Sequence, residues 1–174
     1  MKVFQDHFTG EDVFSDAYKY TLVDDLYYTV DGKWVSSKTA VSESLIGGNR
    51  SAENDEQEKA DVEWEVDFIG SSTLREITTV ASVTDFKQQW STFSKKLLAR
   101  IKETDAHRVE HFKNGLNDLT KNLIADFDAS KFYATKDDEF DLEGGIYVLR
   151  FLDLVNKEQP YLTVLKAAGS FVTF

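Results

Sequence analysis

Chemistry in this chain has to come from carboxylates, because the other reactive side chains are scarce or missing. Of 174 residues, 31 are Asp or Glu and 20 are Lys or Arg; there are three histidines and no cysteine. The missing cysteine excludes a disulfide framework, a thiolate zinc site and a cysteine nucleophile. No Gly-x-Ser-x-Gly elbow occurs, and Gly47-Gly48-Asn49 lacks the lysine and hydroxyl of a phosphate-binding loop. His107 and His111 stand one helical turn apart, as a metal pair would, but Arg108 occupies the place where the zinc-protease pattern puts its glutamate. Two solvent-facing histidines near a helix start are expected instead.

Three acidic groups remain. Glu11 and Asp12 follow Gly10 in a turn. Paired carboxylates share a proton only where a wall keeps water away, and a glycine turn offers none. Held out on a turn, they suit a lysine or arginine of a partner. The run Asp137-Asp138-Glu139-Phe140-Asp141-Leu142-Glu143 invites a calcium reading, but Leu142 stands where a helix-loop-helix calcium loop needs glycine and Val148 where it needs glutamate. Glu63, Glu65 and Asp67 alternate with Val62, Trp64, Val66 and Phe68, which predicts a half-buried strand with three carboxylates on its outer face. Weak calcium binding at either place is the most these groups would support, and no other cofactor is expected.

The elements that must position these groups are mostly strands. Lys2 to Phe8 reads as a first strand. Leu26 to Val30 and Lys33 to Val35, joined by Asp31-Gly32, read as a tight β-hairpin. Leu74 to Val80, Lys131 to Thr135, Ile146 to Val155 and Tyr161 to Lys166 read as further strands, with Phe171-Val172 tucking in at the end. Ile146 to Val155 is apolar on both faces and so belongs at the centre of a sheet. Between them, Phe86, Trp90, Phe93, Leu97 and Ile101, then Val109, Phe112, Leu116, Leu119, Leu123 and Phe127, recur at helical spacing. Two amphipathic helices over residues 84–127 are predicted, broken at Glu103-Thr104-Asp105, with Thr104 or Asp105 capping the second. A short connection makes them an antiparallel hairpin. Residues 36–61 lose the apolar pattern and collect like charges, which predicts a long flexible acidic loop. Strands, then a helical hairpin, then strands give an α+β fold with antiparallel or mixed sheets in one domain over residues 1–174.

The net charge of -11 argues against nucleic-acid binding. Residues 84–127 nevertheless hold eight basic and six acidic side chains, so the hairpin is +2 on a body of -13. A basic hairpin on an acidic body suits acidic partners at the one and basic partners at the other. No apolar run is long enough for a membrane helix, and the first residues lack a signal-peptide core, so a soluble cytoplasmic protein without membrane insertion is expected.

Four segments resemble the translationally controlled tumour protein family: Phe14-Ser15-Asp16-Ala17-Tyr18-Lys19; the string Leu45-Ile46-Gly47-Gly48-Asn49-Arg50-Ser51-Ala52-Glu53 ahead of an acidic loop; Val66-Asp67-Phe68-Ile69; and the helix pair with Arg108-Val109-Glu110-His111-Phe112. The Ile-Gly-Gly-Asn-x-Ser-Ala-Glu string is the most specific, and order, spacing and length fit along essentially the whole chain. The resemblance implies tent-like twisted sheets with a projecting two-helix hairpin, similar to nucleotide-free chaperones of small GTPases. It implies a non-enzymatic cytosolic protein of cell growth and survival with several partners: Rheb-type small GTPases, tubulin and microtubules, calcium, and anti-apoptotic helix bundles. The family's acidic GTPase contact precedes Phe-Ser-Asp, which carries over to Asp12 with Glu11 beside it, the order of the two acids being swapped. Thr135-Lys136 stands where the family has Gly-Glu, and Ala129-Ser130-Lys131 lacks the family's amide side chains, so no calcium ligands carry over. Without the family's C-terminal cysteine a monomer is expected. The alternative function is low-affinity calcium binding or stress chaperoning; an oxidoreductase role, known on similar folds, fails for want of cysteine.

Overall fold

The computed structural model describes residues 1–36, 64–71, 73–135, 138, 142–155 and 157–174. The string Leu45 to Glu53 and all of the predicted acidic loop except Ser36 lie outside the described residues. In chain order the elements are β1 (Lys2–Asp6), β2 (Asp12–Ser15), β3 (Tyr20–Val23), β4 (Tyr27–Asp31), β5 (Trp34–Ser36), β6 (Trp64–Val66), a short helix α1 (Asp67–Ser71) and β7 (Leu74–Glu76). The helical hairpin follows as α2 (Val83–Thr104), a 3-10 turn at Ala106–Arg108 and α3 (Val109–Ala125). The chain ends with β8 (Lys131–Thr135), β9 (Tyr147–Leu154), β10 (Lys157–Leu165) and β11 (Gly169–Thr173). A mixed α+β fold with antiparallel sheets and a two-helix hairpin is what the sequence predicts. No helix among the described residues is long and apolar enough to cross a membrane.

Three sheets form, in the orders β11-β1-β2, β3-β4-β10-β9-β8-β7 and β5-β6, with every pairing antiparallel. The largest has a core on each face because its strands alternate. Phe132, Ala134 and Val148 face the helices, where they pack with Phe86, Trp90, Phe93 and Leu97 of α2 and Phe112, Leu116, Leu119 and Leu123 of α3. Tyr133, Tyr147, Leu149, Leu162 and Val164 face the other way, towards Phe4 and Phe14 of the three-stranded sheet. There, Phe4, Phe14, Tyr28 and Phe171 pack ring on ring, with Phe4 stacked on Phe14 at 5.2 Å. Only the first half of β9 lies inside the sheet as its two apolar faces predict: Tyr147, Val148 and Leu149 are buried between β8 and β10, whereas from Arg150 onward β9 pairs, among the described residues, with β10 alone, and Leu152, Leu154 and Val155 are exposed.

Helix α2 begins as the local sequence dictates. Ser82 Oγ accepts from the Asp85 amide (3.2 Å), and Asp85 Oδ2 accepts in turn from the Ala81 amide (3.2 Å). The break falls at Asp105, as predicted, but neither Thr104 nor Asp105 caps α3: Thr104 Oγ1 donates back to the Arg100 carbonyl, and the cap position is Arg108. The 3-10 turn inserted between the helices carries the chain past both residues before α3 starts.

Three predicted features are corrected. β4 and β5 do not form a hairpin through Asp31-Gly32; β4 lies between β3 and β10, while β5 pairs with β6 in a separate sheet. Gly32 is there for room, since a Cβ would stand 2.5 Å from the Phe68 ring and 2.6 Å from Val66. The predicted strand through Phe68 stops at Val66. The Asp67 carboxylate turns back, Oδ1 accepting from the amides of Lys33 and Phe68 (2.9 Å each), and α1 starts there. Trp64, expected inside, is 63% exposed, while Val66 and Phe68 are buried. The strand from Leu74 ends at Glu76, short of the predicted Val80; Ile77 drops into the helix-side core and the chain bends towards α2.

Candidate functional site: an acidic turn on a buried carboxylate

β1 ends on a carboxylate, and that carboxylate builds the turn that follows. Asp6 is 2% exposed. Its Oδ1 accepts from the amides of Phe8 (2.7 Å) and Thr9 (3.1 Å), the local pattern by which an aspartate shapes the residues just after it. The Gly10 amide donates to the Asp6 carbonyl and the Asp6 amide to the Glu11 carbonyl, both at 2.9 Å, which closes the loop. Gly10 takes φ +73°, a left-handed conformation that favours glycine. β2 then leaves with Asp12 opposite Gln5.

The other oxygen reaches across the molecule. Asp6 Oδ2 accepts from the Gly145 amide (2.7 Å) and from the Tyr147 hydroxyl (2.5 Å). Tyr147 is fully buried, and its ionisation is pushed well above the ordinary value, first by burial and then by the charge of Asp6 and the hydrogen bond to it. Asp138, 5% exposed, accepts from the amides of Glu143 (2.7 Å) and Gly144 (2.8 Å). Three successive amides, from Glu143 to Gly145, thus end on two buried carboxylates. Side chains at 144 and 145 would collide there: a Cβ would lie 2.7 Å from Asp6 Oδ2 at the first and 2.6 Å from the Tyr147 hydroxyl at the second.

Further contacts seat the turn on the hairpin and the sheet. Thr135 Oγ1 donates to Thr9 Oγ1 (3.0 Å), and Lys96 of α2 sits 5.8 Å above the Phe8 ring while donating to the Glu143 carbonyl (3.0 Å). His7 has its imidazole held towards the neutral form by burial and by Arg100. On this platform Glu11 is half-buried and Asp12 is exposed, with Asp12 Oδ1 accepting from Gln5 Nε2 (2.9 Å). The two residues the sequence singles out are therefore neighbours on one surface with fixed backbone. Asp12 is exposed to water and Glu11 is only half-buried, so the geometry suits charge pairing and not proton transfer.

The other acidic candidates do not assemble. Glu63, Asp137, Glu139 and Asp141 lie outside the described residues, and both oxygens of Asp138 are taken by backbone amides. Among the described residues no three His, Cys, Asp or Glu side chains gather as a metal site. His111 Nε2 donates to the Asp24 carbonyl (2.6 Å), so that ring faces the β3-β4 turn and does not pair with His107.

Sequence reasoning missed the residues that do the positioning. Asp6 ahead of Thr9-Gly10 carries a readable signal, an aspartate two residues before a turn. Asp138 carries none, being one acid among five. A third missed cluster joins the hairpin to the β3-β4 turn: Asp25 pairs with Arg108, which also donates to the Asp25 carbonyl (2.8 Å), and with Lys166 Nζ (2.6 Å). Lys166 and Arg108 hold the Asp25 carboxyl below the usual carboxylate range, and Asp24 and Asp25 both carry positive φ. Of the cations on the hairpin, Lys87, Lys95, Lys102, Lys113 and Lys121 stay exposed.

The comparisons with known proteins bear on the family and the fold. The chain is 36% identical to the translationally-controlled tumor protein homolog of Aedes albopictus over 167 residues and 30% identical to that of Lonomia obliqua, each alignment covering 95% of both chains. Its fold matches the p23fyp protein of Schizosaccharomyces pombe with a TM-score of 0.76 at 23% identity, covering all of both chains. It also matches the Caenorhabditis elegans translationally-controlled tumor protein with a TM-score of 0.74 at 24% identity, covering all of this chain and 99% of the other. With the family model matched over residues 1–168 as well, this chain belongs to the translationally controlled tumour protein family.

Proposed function

We propose that this protein is a non-enzymatic, cytoplasmic multi-partner binder of the growth-related type, which meets a Ras-like small GTPase of the Rheb type through Glu11 and Asp12. The observation that carries this reading is the rigidity of the acidic turn. A buried carboxylate with four donors fixes the backbone on which the two acids stand, so little order has to be gained on binding. An exposed carboxylate, Asp12, beside a half-buried one, Glu11, on a fixed turn attracts lysine or arginine and governs association rate and orientation.

A charge reversal tests it. Glu11→Lys with Asp12→Lys is compared with the wild-type protein for affinity towards a Rheb-type GTPase, nucleotide-free and nucleotide-bound. Weakening by more than about tenfold, roughly 1.4 kcal/mol, supports contact at the turn. Binding that the reversal leaves unchanged, or no binding in any nucleotide state, overturns it.

A second reading concerns the hairpin. Five exposed lysines on α2 and α3 favour an acidic partner there, with tubulin and microtubules the partners that the family resemblance implies. Co-sedimentation with microtubules that weakens as salt rises supports this; sedimentation indifferent to ionic strength removes the charge argument. Weak calcium binding and a chaperone role have less behind them, because the described carboxylates are occupied by backbone amides or stand apart.

A further inference from the structure

The hairpin carries a groove on which the acidic-partner reading can be made specific. Between α2 and α3 a cavity of about 240 Å³ opens, floored by Leu98, Phe112 and Leu116 and rimmed by Lys95 from one helix and Lys113 from the other. Among the described residues no carboxylate lines it. Arg108 and Lys166, among the described residues, are paired with Asp25, and Arg150 with Asp126. Among the described residues neither Lys95 nor Lys113 has an ion pair.

We propose that this interhelical groove is a docking site for a short acidic segment that places one apolar side chain over Leu98 and carboxylates at Lys95 and Lys113. The proposal rests on the reading of the hairpin as the surface for acidic partners and gives that surface a place. Charge selects the occupant, because both rims are unpaired cations over an apolar floor. Size selects it too: the cavity is smaller than the roughly 300–1,000 Å³ typical of small-molecule pockets, and suits one or two inserted side chains of a peptide. Each helix contributes a lysine at an exposed position, so the segment would bridge α2 and α3.

The probe is a blocked synthetic peptide, Glu-Asp-Leu-Glu-Asp, titrated into the full-length protein with amide shifts followed by NMR. The expected result is a set of shifts confined to Ser91–Leu98 and Phe112–Asn117. Lys95→Glu with Lys113→Glu should weaken binding by about tenfold, since two attractions become repulsions. Replacing the peptide leucine by glycine should weaken it severalfold, and raising salt from about 50 to 300 mM should weaken it further. Lysine and glutamate are similar helix formers, so the variant keeps its helicity, which circular dichroism checks. Shifts centred on Lys87, Lys102 or Lys121, or binding indifferent to the double variant or to the leucine, overturn the groove while leaving the basic-hairpin reading in place. No binding of the acidic peptide to the wild-type protein overturns both.

Discussion

Asp6 and Asp12 stand at the two ends of one turn, and their surroundings give the same carboxylate opposite tasks. Asp6 is inside, with two amide donors from its own turn and an amide and a hydroxyl from the far side of the sheet. Asp12 is outside, its carboxylate accepting from Gln5 Nε2. A buried charge is tolerated only when its hydrogen-bonding capacity is filled, and once filled it fixes everything that fills it. An exposed charge fixes little, but remains available to another molecule. The turn therefore has a structural end and an end open to solvent.

The largest effect that would test this contrast is at Asp6. Asp6→Ala leaves the amides of Phe8, Thr9 and Gly145 and the Tyr147 hydroxyl without their acceptor, and a loss of about 3–5 kcal/mol in urea unfolding is expected. A loss below about 1 kcal/mol would mean that Asp6 is not the anchor of the turn. Tyr147→Phe keeps the ring and removes one donor, so roughly 1–3 kcal/mol is expected from the same measurement.

Alkaline pH probes the same network. Tyr147 is held well above its ordinary value of 10.0, and burial pushes Tyr133 up to about 12. A phenol whose folded-state value is raised contributes stability that is complete below pH 10 and is lost as pH rises beyond it, because the unfolded chain releases its proton first. Wild-type stability should fall above pH 10, and Tyr147→Phe should flatten that fall; an unchanged slope would place Tyr147 outside the titrating set.

Asp25 is the intermediate case, paired with Arg108 and Lys166 but well exposed to solvent. Its lowered value means stability present above the ordinary carboxylate range and lost as pH falls through the folded-state value. Solvent screens the cluster, so Asp25→Asn should cost less than about 1 kcal/mol near neutral pH, with the difference from wild type shrinking in acid. The smallest stability effect belongs to Glu11→Lys with Asp12→Lys, within about 0.5 kcal/mol, although under the proposed function it is the surface change expected to weaken affinity for a GTPase most. A large loss of stability there would erase the distinction between the two ends.

Periodicity alone determined the helical hairpin, because Phe86, Trp90, Phe93 and Leu97 and their counterparts on α3 mark one face with no competing reading. Residues apolar on both sides also placed the first half of β9 inside the sheet, but not its second half, where Leu152, Leu154 and Val155 are exposed. The resemblance singled out the acidic pair, because a charged pair beside Gly10 and ahead of Phe14-Ser15-Asp16 survives as a local pattern. Only the tertiary structure decided where β4 and β5 find their partners. Asp31-Gly32 has the composition of a hairpin turn, yet Gly32 is fixed by the approach of Phe68 and Val66, and the strands on either side join different sheets. Among the described residues it alone chose Asp6 and Asp138 as the buried acids. A buried carboxylate is defined by donors distant in sequence, Gly145 and Tyr147 for Asp6, and a linear pattern of residues does not record which amides fold back upon it.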